Sequence, residues 1–121
     1  SKRNQRNQSD PLFKITKTLR VTCHRTKAKF NLKISSNTLL GCSFKFAYAF
    51  LRHTAILNYG VYSEEIDYEV DHVIPFWTAS TPEEAISLTH ITNLQFLLPP
   101  DNRAKGGKLD WFLPDTYFTQ I

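Results

Sequence analysis

A chain of 121 residues is one domain by length, and 41% hydrophobic with 21% charged residues is the balance of a folded protein, not a disordered one. No apolar run reaches the roughly 18 residues that span a bilayer, and no signal-peptide pattern opens the chain, so an intracellular setting without a membrane partner is expected. The net charge of +4 is unevenly placed: residues 1–33 carry ten basic side chains against the single acid Asp10, whereas residues 64–71 carry five acids and no base.

In chain order, residues 1–10 (SKRNQRNQSD) read as a flexible basic arm. Residues 11–121 read as a single domain, with a basic helical part over 11–57 and a second part over 64–108. From Pro11 onward, Leu12, Ile15, Leu19 and Cys23 recur at helical spacing, with Asp10 as N-cap and Pro11 at the first helical position. Gly41 breaks the chain, and Ser43 caps a second helix whose apolar face is Phe44, Ala47, Phe50 and Leu51. Asn58-Tyr59-Gly60 and Ser63 form a loop into a strand, YEVDHVIPFW, over residues 68–77. Thr81 caps a short helix that opens on Pro82, Glu83 and Glu84. TNLQFLL, residues 92–98, is a second strand, and PPDNRAKGGK is a short helix ending at Gly106-Gly107. The class is α+β. Cys23 and Cys42 lack metal-ligand spacing and are too few for a disulfide scaffold.

The residues that carry chemistry lie in the second half. Asp71 and His72 end the first strand, Asn93 opens the second 21 residues after His72, and Asn102 follows nine residues later. An antiparallel hairpin followed by a short helix would bring Asp71 and Asn102 together with His72 adjacent. A carboxylate and an amide carbonyl suffice for a hard divalent cation when substrate phosphate and water complete its shell. His72 then stands beside the cation as a base for a water molecule. The basic N-terminal third has the charge of a phosphate-binding surface, with Lys14, Lys17 and Arg20 as backbone contacts. Arg103 and Lys108 are further phosphate contacts. His90 reads as a hydrogen-bonded hairpin residue, and Trp77, Trp111 and Phe112 as core or lid packing.

These residues resemble the His-Asn-His (HNH) endonucleases of the ββα-metal group. That family's pattern is matched here by Asp71-His72-Val73-Ile74-Pro75, Asn93-Leu94-Gln95, Asn102 and Lys105, in order and at the family's spacing. Asn102 stands where His is usual, the His-Asn-Asn variant. Upstream, LLGCSFKFAYAFLRH and the Asn-Tyr-Gly loop are similar to phage and virus members, so the likeness covers roughly residues 11–108. The resemblance implies a ββα-metal core with the N-terminal helices packed on it, and hydrolysis of duplex DNA. It implies one divalent metal, Mg²⁺ before Mn²⁺, on Asp71 and Asn102, with His72 as general base. Asn93 would tie the hairpin loop so that His72 is oriented, and Lys105 would face a phosphate. Many members carry Cys pairs that bind a structural zinc; Leu98 and Asp101 stand in place of one pair, so no structural zinc is expected. No base-reading element is visible. Two alternatives accompany this reading: an inactive nucleic-acid-binding module, and a nuclease for RNA or branched DNA.

Overall fold

The computed structural model describes residues 10–113, so the expected basic arm, apart from Asp10, lies outside the described residues. Helix α1 spans Pro11–Phe30; the Asp10 carboxylate accepts from the Leu12 amide at 2.9 Å, and Asn31, in the left-handed region, ends the helix. Its buried stripe is Ile15, Leu19, Cys23 and Thr26. The spacing reading therefore holds, with one more turn added. A five-residue helix, α2 over Ser36–Leu40, had no counterpart in the sequence reading, yet its Leu39 and Leu40 are fully buried. Gly41 ends α2 with φ 81°, and the His90 imidazole packs directly over it, so any β-carbon there would collide with the ring. Helix α3 spans Phe44–Tyr59, with the Ser43 hydroxyl accepting from the Phe46 amide at 3.1 Å. Its buried stripe is Ala47, Tyr48, Leu51 and Ala55, while Phe44 and Phe50 sit at the core margin. Asn58 and Tyr59, read as loop, are the last turn of α3.

Strand β1 is short, Glu69–His72, and pairs antiparallel with β2, Leu94–Leu97, with Asp71 opposite Gln95 and His72 opposite Leu94. The expected longer strands fail for a local reason: β2 offers four partner residues, and Pro75 turns the chain into a 3₁₀ turn at Phe76–Thr78. The two strands are joined by helix α4, Pro82–Thr89, and a second 3₁₀ turn, Ile91–Asn93. Asn93 therefore closes a turn rather than opening a strand. The Thr81 hydroxyl caps α4 by accepting from the Glu84 amide at 3.1 Å. The 3₁₀ turn is capped by His90, whose Nδ1 accepts from the Thr92 amide at 3.2 Å. Helix α5, Pro99–Lys105, follows β2 directly and ends at Gly106.

Helices and a two-stranded antiparallel sheet make this an α+β protein. Strand alternation divides the sheet. Leu94 and Phe96 enter the core shared with α1 and α3, and Tyr62 and Tyr68 stack on Phe96. Glu69, Asp71 and Gln95 face the side on which α5 packs. A buried hydroxyl pair, Thr26 and Thr89 at 2.7 Å, ties α1 to α4. Among the described residues no helix is long and apolar enough to cross a membrane.

Helix α5 has no side-chain cap, and the Tyr59 hydroxyl takes over that work from the end of α3. It donates to the Asp101 carboxylate at 2.7 Å and accepts from the Leu98 amide at 2.9 Å. Leu98 and Asp101, the positions aligned with a zinc-binding pair in the resemblance, are thus both held by one phenol. Tyr59→Phe is expected to lower unfolding free energy by about 1–3 kcal/mol, since a bond to a charged acceptor and an amide partner are lost together. Chemical denaturation would show it; unchanged stability would mean that α5 is held by its packing and its bonds to β1 without the Tyr59 hydroxyl.

Candidate active site

Asp71 is paired on both sides. Its carboxylate meets the Lys105 ammonium at 2.9 Å and accepts from the Gln95 amide at 3.0 Å. Gln95 is itself positioned by Asn58 of α3, which donates to its side-chain oxygen at 3.1 Å. Lys105 is 5% exposed and also donates to the His72 carbonyl at 2.6 Å. A lysine is rarely buried unless paired, and this one is paired twice. The sequence reading set Lys105 toward a phosphate; in the structure its ammonium lies on Asp71.

Asn102, one turn earlier on α5, directs its side-chain amide to Glu69, donating at 2.9 Å. Glu69 and Asp71 are two residues apart on one face of β1, so α5 meets the sheet as two ladders, Asn102 on Glu69 and Lys105 on Asp71. Glu69 was not among the candidate ligands from sequence, although its position two residues before Asp71 was a usable signal.

His72 points to the opposite face of the strand, toward α1. It lines a hollow with Thr22, Arg25, Thr26 and Phe76, and its ring lies 5.7 Å from that of Phe76. It also borders a cleft of about 290 Å³ with Asp71, Lys105, Trp77 and Gly107. The His72 Nε2 is buried and has no hydrogen-bond partner among the described residues. Burial holds the imidazole below its ordinary pKa of 6.5; the Lys105 and Arg25 cations push the same way, and Asp71 opposes them. Burial and the two cations thus favour the neutral ring over the imidazolium. Arg25 was missed from sequence, although Thr22, Arg25 and Thr26 share helical spacing.

Asn93 is buried and turned inward. Its side-chain oxygen accepts from the Ile74 amide at 2.9 Å, and its nitrogen donates to the carbonyls of Ile74 and Leu88 at 3.1 and 2.8 Å. The Val73 amide donates to the Asn93 carbonyl at 2.7 Å. With both amide protons committed to backbone, Asn93 fixes the two residues that follow His72 and has no donor left for a substrate.

Trp77 is 62% exposed and donates its indole N–H to the Gly107 carbonyl at 2.8 Å, while Phe112 is 83% exposed. Neither is core; Trp77 forms an edge of the cleft. Arg103 and Lys108 are exposed near the end of α5. Lys17 and Arg20 line a groove along α1, but Lys14 borders a separate hollow with Glu64 and Asp67. The three proposed backbone contacts therefore do not share one face.

The oxygen donors can be tested against a divalent cation. Among the described residues no three His, Cys, Asp and Glu side chains cluster as a self-sufficient metal site. Glu69 and Asp71 stand two residues apart on the face of β1 that meets α5, the first bonded to the Asn102 amide and the second to Lys105. Asp71 and the His72 carbonyl already hold a positive charge, the Lys105 ammonium. The chemistry of the donors suits a hard cation completed by phosphate and water, provided Lys105 gives way at Asp71. No protein-family model matches the chain, and comparisons with curated proteins and with solved structures give no match either.

Proposed function

We propose that this chain is a metal-dependent nuclease of the HNH type, hydrolysing phosphodiester bonds of DNA, with β1, β2 and α5 as its ββα-metal core. The observation that carries the reading is the His72 imidazole: half-buried, held below its ordinary pKa, its buried Nε2 without a partner among the described residues, at the border of a cleft that also holds Asp71 and Lys105. A buried polar nitrogen without a partner costs stability, and sites of that kind are kept for chemistry. Asp71 and Asn102, with Glu69 beside them, would hold one Mg²⁺ or Mn²⁺. The cation, when bound, supplies neutralisation of charge developing on the phosphate oxygens and the leaving 3′ oxygen.

The chain's own residues do the rest. The His72 imidazole takes a proton from the attacking water; the new oxygen–phosphorus bond forms as the bond to the 3′ oxygen breaks, the 3′ oxygen takes a proton from solvent and His72 returns its own to solvent, leaving 5′-phosphate and 3′-hydroxyl ends. Asn93 holds Val73 and Ile74, and with them the direction of the His72 ring. Lys105, released from Asp71, is placed to meet the phosphate, with Arg103 and Lys108 at the outer end of α5.

The test is nicking of supercoiled plasmid with Mg²⁺ or Mn²⁺ across a pH series. Cutting is expected with either cation and not in EDTA. Because a lowered pKa keeps His72 neutral into mildly acid solution, the acid limb of the rate is expected below pH 6.5. A limb above that value would remove His72 as the base. One observation favours a second reading, an inactive nucleic-acid-binding module: Lys105 already neutralises Asp71. Plasmid binding without any nicking would establish that reading instead.

A further inference from the structure

A groove of about 780 Å³ runs along α1, larger than the cleft of about 290 Å³ at Asp71. Phe13, Lys17, Arg20 and His24 follow one another at helical spacing on its wall, and Phe44 of α3 closes the other side. The groove alternates two kinds of surface. Phe13 and Val21 are 42% and 48% exposed, apolar side chains on the solvent side of the helix, off its buried stripe. Lys17 and Arg20 stand between them and Arg25 one turn beyond Val21, and no carboxylate is among the lining residues. The Arg20 guanidinium lies 5.3 Å over the Phe44 ring.

A duplex presents its charged backbone outward and its bases inward, so it has no use for an apolar groove floor. A single strand presents both faces at once: phosphates for cations, and bases for aromatic and apolar side chains. We infer that the α1 groove binds a single strand of nucleic acid, its phosphates on Lys17, Arg20 and Arg25 and its bases against Phe13, Val21 and Phe44. The groove also leads somewhere. Arg25 lines both it and the hollow that contains His72, and the Lys29 ammonium lies 5.2 Å over Phe76, the ring beside His72. From Phe13 to Arg25 the helix rises about 18 Å, a track that ends at the candidate base. That continuity favours a nucleic acid over an acidic peptide. The destination of the strand rests on the nuclease reading; the binding does not.

The test is fluorescence anisotropy in EDTA, so that no cutting intervenes. The probes are fluorescein-labelled oligothymidylate of about 15 nucleotides, an abasic oligomer of equal length, and the matching duplex. Oligothymidylate is expected to bind about tenfold tighter than either of the others at equal salt. Phe13→Ala, a change at an exposed position, should weaken oligothymidylate by about fivefold or more and leave the abasic oligomer and duplex unaltered. Arg25→Gln should weaken all three. Equal binding of oligothymidylate and duplex, or no effect of Phe13→Ala, would overturn the inference. So would an oligoglutamate peptide that competes as well as oligothymidylate. Single-strand binding with this pattern but no plasmid nicking would leave the groove standing and remove the nuclease. Nicking without single-strand preference would do the reverse.

Discussion

His72→Ala protein is expected to fold and to bind nucleic acid while its cutting rate falls by about two to four orders of magnitude, the range for loss of a general base. The stability half of this result separates a catalytic histidine from a core one. Truncation removes the contact with Phe76, which costs stability, but it also removes a buried nitrogen that has no partner, which restores some. A core histidine with satisfied nitrogens would show only the loss. Folded His72→Ala protein that cuts at the normal rate would take His72 out of the mechanism. Severe unfolding would make it a packing residue. Plasmid nicking and thermal melting on the same preparation read both.

The second large effect is at Asp71. The Lys105–Asp71 side chains are 6% and 11% exposed and 2.9 Å apart. Asp71→Ala leaves the ammonium buried with its charge uncompensated, a change that costs about 3–5 kcal/mol. Loss of activity in that variant alone would therefore say little about a metal. Lys105→Met resolves the ambiguity, because it removes the charge and keeps the long apolar stem. Asp71→Ala/Lys105→Met should recover most of the stability lost in Asp71→Ala, a coupling read by denaturation of all four proteins. Calorimetric titration with Mn²⁺ then reads the ligand role directly. Lys105→Met should bind Mn²⁺ more tightly than the parent, since the ammonium no longer competes for Asp71, and the double variant should bind it much more weakly. Equal Mn²⁺ affinity in the parent and Lys105→Met would show that ammonium and cation do not share Asp71.

Local signals carried the helices. Asp10, Ser43 and Thr81 cap their helices through bonds to amides two or three residues away, so a short stretch of sequence contains both partners. The stripe Ile15, Leu19, Cys23 was legible because one buried face repeats every three or four residues. Where an element is too short to repeat, that signal vanishes. Ser36–Leu40 has five residues, and only the pocket waiting for Leu39 and Leu40 makes it a helix in place. The first strand was read too long for the opposite reason: its apolar residues run on to Trp77, but a strand ends where its partner does, and β2 stops pairing at His72.

The site divides along the same line. Sequence by itself determined which groups are present, Asp71, His72, Asn93, Asn102 and Lys105, and that the two strands and the short helix carrying them would lie close in the chain. It also determined the charge asymmetry, since that is composition alone. Only the tertiary structure decided which group meets which. Asn102 turns to Glu69 and Lys105 to Asp71 because α5 docks on β1 at the height set by Tyr59, a residue of a different helix some forty positions away. Arg25 reaches the neighbourhood of His72 because α1 packs across α4 through the Thr26–Thr89 pair. Lys14 parts company with Lys17 and Arg20 because the loop over 62–68 covers one flank of α1 and leaves the other open. Each of these is a contact between segments distant in sequence, and nothing in the periodicity or capping of either segment names its partner across such a distance.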